Sequence, residues 1–277
     1  MVDDRSSDDP DHRNLPTEVD STVPSIARTY DYLLGGKDNF AIDREIGDKF
    51  LTDMPDAVQI ALDNRAILVR AVRYMAEDAG LDQFIDLGSG LPTAENVHQV
   101  AQRVDPDAHV VYVDRDPMVL AHGRALLEEN ANTTVVQADI RDPEQILGHP
   151  DTRRLIDFSR PVGLIACAIL HHILDTENPG DVLAALRAAV PTGSHLFLTH
   201  FRDLGTPESD QAQAILLKAF GRGVWRTDEE IAAFFTGWDL VEPGIVPVAH
   251  WHPDAEPEDE PLTVWQKQIV GGVGVKP

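Results

Sequence analysis

One cysteine in 277 residues, Cys167, rules out an internal disulfide and a thiolate metal cluster. Positive charge is also scarce: 23 Lys and Arg stand against 47 Asp and Glu, a formal net charge of −24. A surface of that sign repels nucleic acid and anionic membrane, so neither is an expected partner. Most of the charge reads as a solvated coat. No apolar run approaches the length of a membrane span. The start, with Asp3, Asp4, Asp8, Asp9 and Asp11, lacks the basic end and apolar stretch of a secretory signal, and the expected location is the cytoplasm. What is present, 43% hydrophobic and 25% charged residues, suffices for one well-buried α/β domain and an additional segment.

Residues 1–20 are rich in Asp, Ser and Pro and read as a disordered acidic tail. Residues 21–80 read as a helical cap: Pro55 or Asp56 opens a segment in which Ile60, Ile67, Leu68, Ala71, Val72 and Met75 recur at helical spacing, and Gly80 stops it. From residue 81 to 277 the pattern becomes one larger domain. Strands are expected at 84–87, 109–114, 133–137, 162–167 and around Leu196-Phe197-Leu198. Helical patterns separate them, one carrying Val97, Val100, Ala101 and Val104, one opened by Asp116 and Pro117, and one carrying Val182, Leu183, Leu186 and Val190. This alternation implies an α/β fold with a doubly wound, mostly parallel sheet and right-handed crossovers. Thr206-Pro207 starts a further helix that Gly221 stops, and Thr227-Asp228-Glu229-Glu230 is a capping box. Two β-like stretches, 245–251 and 262–269, joined by the Asp254–Pro261 loop, should close the sheet as an antiparallel hairpin.

The sharpest chemical signal is Phe84-Ile85-Asp86-Leu87-Gly88-Ser89-Gly90, followed 24 residues after Gly90 by Asp114 and a further 25 residues on by Asp139. An apolar strand ending in Asp-x-Gly-x-Gly lets a ligand lie against bare backbone, and an acidic residue ending the next strand can accept both ribose hydroxyls. Each Asp alone reads equally as a turn or N-cap residue; three in order read as a nucleoside site. Two nucleoside cofactors compete for it. NAD(P) needs backbone N–H groups aimed at a pyrophosphate, yet the third glycine position is Thr93 and Pro92 has no N–H to offer. S-adenosylmethionine has no phosphate and carries a sulfonium and an ammonium, which suits an acidic pocket. Asp86 is then the candidate for the ammonium end, Asp114 for the ribose diol and Asp139 for the adenine amino group.

Asp86-Leu87-Gly88-Ser89-Gly90, Val113-Asp114-Arg115-Asp116-Pro117-Met118, Ala138-Asp139-Ile140, Leu170-His171-His172 and Pro191-Thr192-Gly193-Ser194-His195-Leu196 resemble, in order, the motifs of class I S-adenosylmethionine-dependent methyltransferases. Pro92 departs from the glycine that many members carry in the loop. A narrower resemblance covers nearly the whole chain. Arg28–Phe40, Asn64-Arg65 and Gly237 with Pro243-Gly244 are similar to a bacterial family of S-adenosyl methyltransferases long catalogued as a domain of unknown function. These resemblances imply a Rossmann-like methyltransferase fold and S-adenosylmethionine as cofactor, with Gly88, Gly90, Arg115, Ile140 and Ala168 as further cofactor contacts.

The Tyr30–Phe40 segment is dense in aromatic, Gly and charged residues. It reads as a lid over the methionine end of the cofactor, with Tyr30, Lys37 or Asn39 reaching the carboxylate and Arg65 a further candidate. The competing reading is a connector between helices in which Gly35-Gly36 supply the turn. His171 and His172 are candidates for a general base, or for residues that merely start a helix. Cys167 reads as a buried thiol that lines the cofactor pocket by position. The four tryptophans Trp225, Trp238, Trp251 and Trp265 read as core, with one or two walling an acceptor pocket. His250-x-His252 lacks a spaced carboxylate and is not a metal site. The expected activity is methyl transfer to a small-molecule acceptor. The rivals are an S-adenosylmethionine or S-adenosylhomocysteine binder without catalysis, and an NAD(P) oxidoreductase. Acceptor identity and oligomeric state are not legible in the chain.

Overall fold

The structure, a computed structural model, describes residues 19–93, 95–126, 130–254 and 261–277. The reading of an acidic tail falls on residues of which only 19 and 20 are among these, and 255–260 of the late acidic loop also lie outside them.

Three helices precede the sheet: α1 (Ile26–Leu33), α2 (Ala41–Asp53) and α3 (Ala57–Glu77). Asp56 is the N-cap residue of α3, and the six apolar side chains whose spacing predicted the helix are all buried. Spaced three and four apart they form one stripe, and it packs toward the sheet. Gly80, at φ +69°, takes the chain out of the helix in a conformation that favours glycine.

The alternating part runs β1 (Gln83–Leu87), α4 (Val97–Val104), β2 (His109–Asp114), α5 (Pro117–Leu126), β3 (Thr133–Gln137), α6 (Pro143–Gly148), α7 (Pro150–Leu155), β4 (Gly163–Ala166), α8 (Pro179–Ala189) and β5 (His195–Phe201). It is followed by α9 (Pro207–Phe220), α10 (Asp228–Ala233), β6 (Asp239–Leu240), β7 (Val246–Pro247) and β8 (Ile269–Val275). The strand order is β3-β2-β1-β4-β5-β8-β6, with β7 also on β8. The first five strands in this order are parallel, and β8 runs antiparallel to β5, β6 and β7. Successive residues of the central strands feed opposite cores: Phe84, Val110 and Tyr112 join α3 and α4 on one face, while Ile85, Leu87, Val111 and Val113 join α8 on the other. The caps read from sequence are in place, with Thr206 accepting from Ser209 N at 3.3 Å, Thr227 and Glu230 forming a reciprocal box, and Gly221 left-handed at φ +65°.

The terminal hairpin needs correction in its bounds. β7 and β8 do pair antiparallel, but β8 begins at Ile269, where the expected second strand ended, and its main partner is β5. The apolar residues before it form turns and a one-turn helix at Gln266–Gln268. Glycine masked the true strand: a Cβ on Gly271 would sit 2.7 Å from Thr199 Cγ2, and one on Gly274 would sit 2.8 Å from Trp238 Cβ. Close approach of neighbours, which strand propensity does not register, selects these residues. Likewise 248–250 is helical, so His250 and His252 do not share a strand face; His252 Nε2 is 2.7 Å from the Glu242 carbonyl.

Candidate active site

The chain leaves β1 outward through β2 to β3, then returns to place β4 on the other side of β1. Such a reversal opens a crevice at the carboxyl ends of the strands, where open α/β sheets bind ligands. A cavity of about 660 Å³ lies there. Of the residues singled out in sequence, it is lined by Tyr30, Arg65, Asp86, Gly88, Gly90, Asp114, Arg115, Asp139, Ile140, Cys167, Ala168, His171 and His172.

Lys37 and Asn39 are not among its walls. Lys37 is exposed. Asn39 is buried within its own loop, where its Nδ2 donates to Asp31 Oδ2 at 2.8 Å and to the Gly36 carbonyl at 3.1 Å. Asp31 Oδ2 also accepts from Asp38 N at 2.9 Å, and Gly35 turns the chain at φ +78°. This is the connector reading: the loop spends its polar groups on itself. Of the polar candidates in this segment Tyr30 reaches the cavity, which Leu33 also lines; Tyr30 donates to the Ala61 carbonyl at 3.0 Å and accepts from Asn64 Nδ2 at 3.1 Å.

Asp43, fully buried, fixes the helices around that loop. Its carboxylate accepts from Phe40 N at 2.9 Å, Ser25 N at 2.9 Å and Arg28 Nε at 2.7 Å. Ser25 in turn donates its hydroxyl to Asp116 Oδ2 at 2.7 Å, tying the helical segment to the start of α5.

Three of the carboxylates that line the cavity, Asp86, Asp114 and Asp139, differ in electrostatic state. Asp86 is buried and, among the described residues, accepts no hydrogen bond; burial pushes its pKa up to about 7, with Arg65 opposing the rise and Asp114 adding to it. Asp114 is also raised by burial, less so because Oδ2 accepts from Gly90 N and Oδ1 from Asp116 N, both at 2.9 Å. Asp139 goes the other way. Arg141 grips it through Nε at 2.8 Å and through its backbone N at 3.0 Å, and holds the carboxyl at about 2. Arg141 also pairs with Glu177, which accepts from Arg222 at 2.7 Å. Sequence reading missed this Asp139–Arg141–Glu177–Arg222 chain, because Glu177 and Arg222 lie far along the backbone from the first two.

The backbone around these groups is shaped for close approach. Gly88 and Gly90 are left-handed at φ +69° and +67°. A Cβ on Gly88 would strike Ile169 at 2.5 Å, whereas one on Gly90 would enter open space. Ala168, at φ +51° without being glycine, is held by its N–H to Thr199 Oγ1 at 2.8 Å. Thr199 Oγ1 donates to Asn64 Oδ1 at 2.7 Å, and Cys167 Sγ lies 3.5 Å from the same oxygen. Burial pushes the Cys167 thiol up to about 11, so it is neutral at physiological pH. Asn64, a polar residue inside the apolar stripe of α3, was the one legible sign of this cluster.

His171 and His172 lie on a one-turn helix after β4 with ring centroids 4.1 Å apart. Burial lowers both pKa values, His172 to about 3 and His171 well below its ordinary range. Both are neutral near pH 7, and neither has the near-neutral pKa that suits a general base. Of the tryptophans, Trp225, Trp238 and Trp251 are buried, and Trp225 lines the cavity. Among the described residues, no group of three or more His, Cys, Asp or Glu is arranged to hold a metal, and no helix is long and apolar enough to cross a membrane.

The sequence pattern of a family described as S-adenosyl methyltransferase matches residues 12–277. The chain belongs to that S-adenosyl methyltransferase family. A candidate methyltransferase from Thermobifida fusca YX is 48% identical over 92% of this chain and 96% of its own, with a TM-score of 0.89. A DUF574 family protein from Streptomyces avermitilis MA-4680 is 37% identical over 93% of this chain and 99% of its own, also at 0.89. Among curated proteins nothing matches. This methyltransferase therefore takes S-adenosylmethionine as cofactor, as the sequence reading expected, and the NAD(P) alternative is set aside. The residues present fit the cofactor's chemistry. An unpaired buried carboxylate at Asp86 and a buried, unpartnered Nε on Arg65 offer one charge of each sign to an amino-acid end. Gly90 leaves bare backbone with free space above it.

Proposed function

We propose that the protein methylates a small-molecule acceptor held in the same cavity as the cofactor. The observation that carries this reading is the two-sided wall: carboxylates and glycines along the sheet edge on one side, apolar side chains from α2, α3 and α9 on the other. When bound, S-adenosylmethionine would supply an electrophilic methyl group to the acceptor's lone pair by in-line displacement at carbon, the carbon–sulfur bond breaking as neutral S-adenosylhomocysteine leaves and any proton on the attacked atom passing to solvent.

The chain's own residues bind and orient. Asp114 takes the ribose hydroxyls with the lone pairs that Gly90 N and Asp116 N leave free. Asp86 takes the ammonium and Arg65 the carboxylate. Asp139, kept ionised by Arg141, accepts from the adenine amino group, while Ile140 covers the ring and Arg115 lies at the rim. Gly88 and Gly90 keep side chains out of the way, and Cys167 and Ala168 form the floor. His171 and His172 position the acceptor rather than remove its proton, because positioning supplies much of the acceleration in such a transfer. Residues 21–80 act as a cap on the domain formed by 81–277, with 1–20 as a tail, and the cap reaches the site through Tyr30, Arg65 and the apolar side chains around them.

The test is incubation with methyl-labelled S-adenosylmethionine and a small-molecule cell extract. Label appearing in a small molecule, and lost with Asp114→Ala, supports the proposal. Binding of the cofactor with no transfer to any fraction would favour a non-catalytic binder, and label on protein alone would contradict a small-molecule acceptor.

A further inference from the structure

The wall away from the sheet edge has a chemistry of its own. Phe50 of α2 and Met54 just past its end, Ile60 of α3, and Leu216 and Phe220 of α9 make it apolar. Phe201, at the end of β5, stacks on Trp225 with ring centroids 5.1 Å apart and planes 11° from parallel. His171 meets the Phe201 ring edge-on at 5.0 Å, and His172 adjoins His171. The stacked pair, which lines the cavity and adjoins the two imidazoles, is the aromatic platform of this side.

Carboxylates are absent from this side. The carboxylates lining the cavity are Asp20, Asp86, Asp114, Asp116 and Asp139, all on the sheet edge or ahead of α1. Arg222, beside His172, is occupied by Glu177 at 2.7 Å and by the His172 carbonyl at 3.3 Å. The imidazoles make no hydrogen bond among the described residues, and the Nδ1 atoms of both are sealed from solvent without a partner. A neutral imidazole carries one N–H, and a sealed N–H without an acceptor is costlier than a sealed lone pair. The proton therefore sits on Nε2 in each, and Nε2–H is the group they can offer to the cavity that both residues line.

We propose that the acceptor is a neutral planar molecule, aromatic or heteroaromatic, that lies against the Phe201–Trp225 platform and presents an oxygen or nitrogen lone pair to Nε2–H of His171 or His172. This rests on reading the cavity as the methyl-transfer site. A cation would find no carboxylate there, an anion no arginine left over once Arg65 holds the cofactor's carboxylate and Arg222 holds Glu177, and a nonplanar polar molecule would bury unpaired groups against the apolar wall.

The experiment uses the full chain saturated with S-adenosylhomocysteine and titrated calorimetrically with coumarin, which is neutral and planar and carries a carbonyl. Naphthalene-2-carboxylate and 2-naphthylmethylammonium serve as charged counterparts. Coumarin is expected to bind at least about tenfold more tightly than either, from the cost of burying an unpaired charge. His172→Phe, which keeps a ring but loses the donor, should weaken coumarin about five- to tenfold if His172 is the donor, and His171→Phe should do so if His171 is. Ala219 of α9 also lines the cavity, and Ala219→Phe, which fills the apolar side, should abolish coumarin binding while S-adenosylhomocysteine still binds. Nitrogen-15 spectra should show both histidines as neutral Nε2–H tautomers. Equal or tighter binding of a charged probe, coumarin binding untouched by Ala219→Phe, or Nδ1–H tautomers would overturn the inference and leave the cofactor site standing. No coumarin binding to the S-adenosylhomocysteine complex would do the same. Failure of S-adenosylhomocysteine itself to bind would instead remove the reading on which the inference rests.

Discussion

Acidification from pH 8 to pH 6 should weaken S-adenosylhomocysteine binding about tenfold, and Asp86 is the reason. Its carboxyl has a pKa of about 7 in the free protein, raised first by burial and then by Asp114, with Arg65 opposing. An ammonium beside it favours the ionised form, so binding releases a proton wherever Asp86 is protonated. With a pKa near 7 in the free protein and far lower in the complex, about ten in eleven molecules at pH 6 must lose that proton to bind, against about one in eleven at pH 8. Of the other groups facing Asp86, burial raises Tyr112 and Cys167, the latter to about 11 and so above this window; Asp114 is also raised by burial, and the Asp86→Asn control separates its contribution. The two histidines, with lowered pKa values, are already neutral. The same shift has a stability sign. The folded-state pKa lies above the ordinary 3.8, so ionisation of Asp86 costs the cofactor-free fold stability as pH rises from about 4 to 7. Calorimetric titration at half-unit pH intervals reads the linkage, with Asp86→Asn as the control that should bind more weakly at pH 8 and lose the slope. Constant affinity from pH 8 to 6 in the wild type would refute the assignment of Asp86 to the ammonium.

Three further outcomes follow from particular contacts. Gly88→Ala places a Cβ 2.5 Å from Ile169 at φ +69° and should cost about 1–3 kcal/mol in urea unfolding, while Gly90→Ala, which meets open space, should cost less and act mainly on cofactor affinity. Asp43→Ala strands the buried Arg28 guanidinium and removes the acceptor of two backbone N–H groups, an expected loss of about 3–5 kcal/mol by denaturant midpoint. A loss below about 1 kcal/mol would show that the α1–α2 junction is held by something else. Lys37→Ala, at an exposed residue off the cavity, should leave S-adenosylhomocysteine affinity within about twofold by calorimetry, inside the usual range of surface substitutions.

The strand ends were legible because each couples a local pattern to one residue of chemical consequence: Asp86, Asp114 and Asp139 close apolar runs at even spacing, and the topology brings all three to one edge. α3 was legible for the same reason, as a long helix with a single apolar stripe. The loop at 30–40 was not, since composition cannot tell polar groups that serve a ligand from those that serve the loop; Asn39 turned inward to Asp31, and Lys37 turned out. β8 hid behind Gly271, Gly272 and Gly274, whose reason is the backbone and side chains pressed against them. The Phe201–Trp225 platform and the Arg141–Glu177 pair join residues distant in sequence, and only the folded sheet brings them together.

The central claim is that the crevice at the ends of β1, β2 and β3 holds S-adenosylmethionine through its acidic residues. Parallel calorimetric titrations of the wild type and Asp114→Ala with S-adenosylmethionine, S-adenosylhomocysteine and NADH test it most directly. The account predicts binding of the first two and not the third, with a loss of about 1–3 kcal/mol in the variant from the charge-assisted hydrogen bonds to the ribose. Binding of NADH alone, or wild-type affinity in Asp114→Ala, would contradict it.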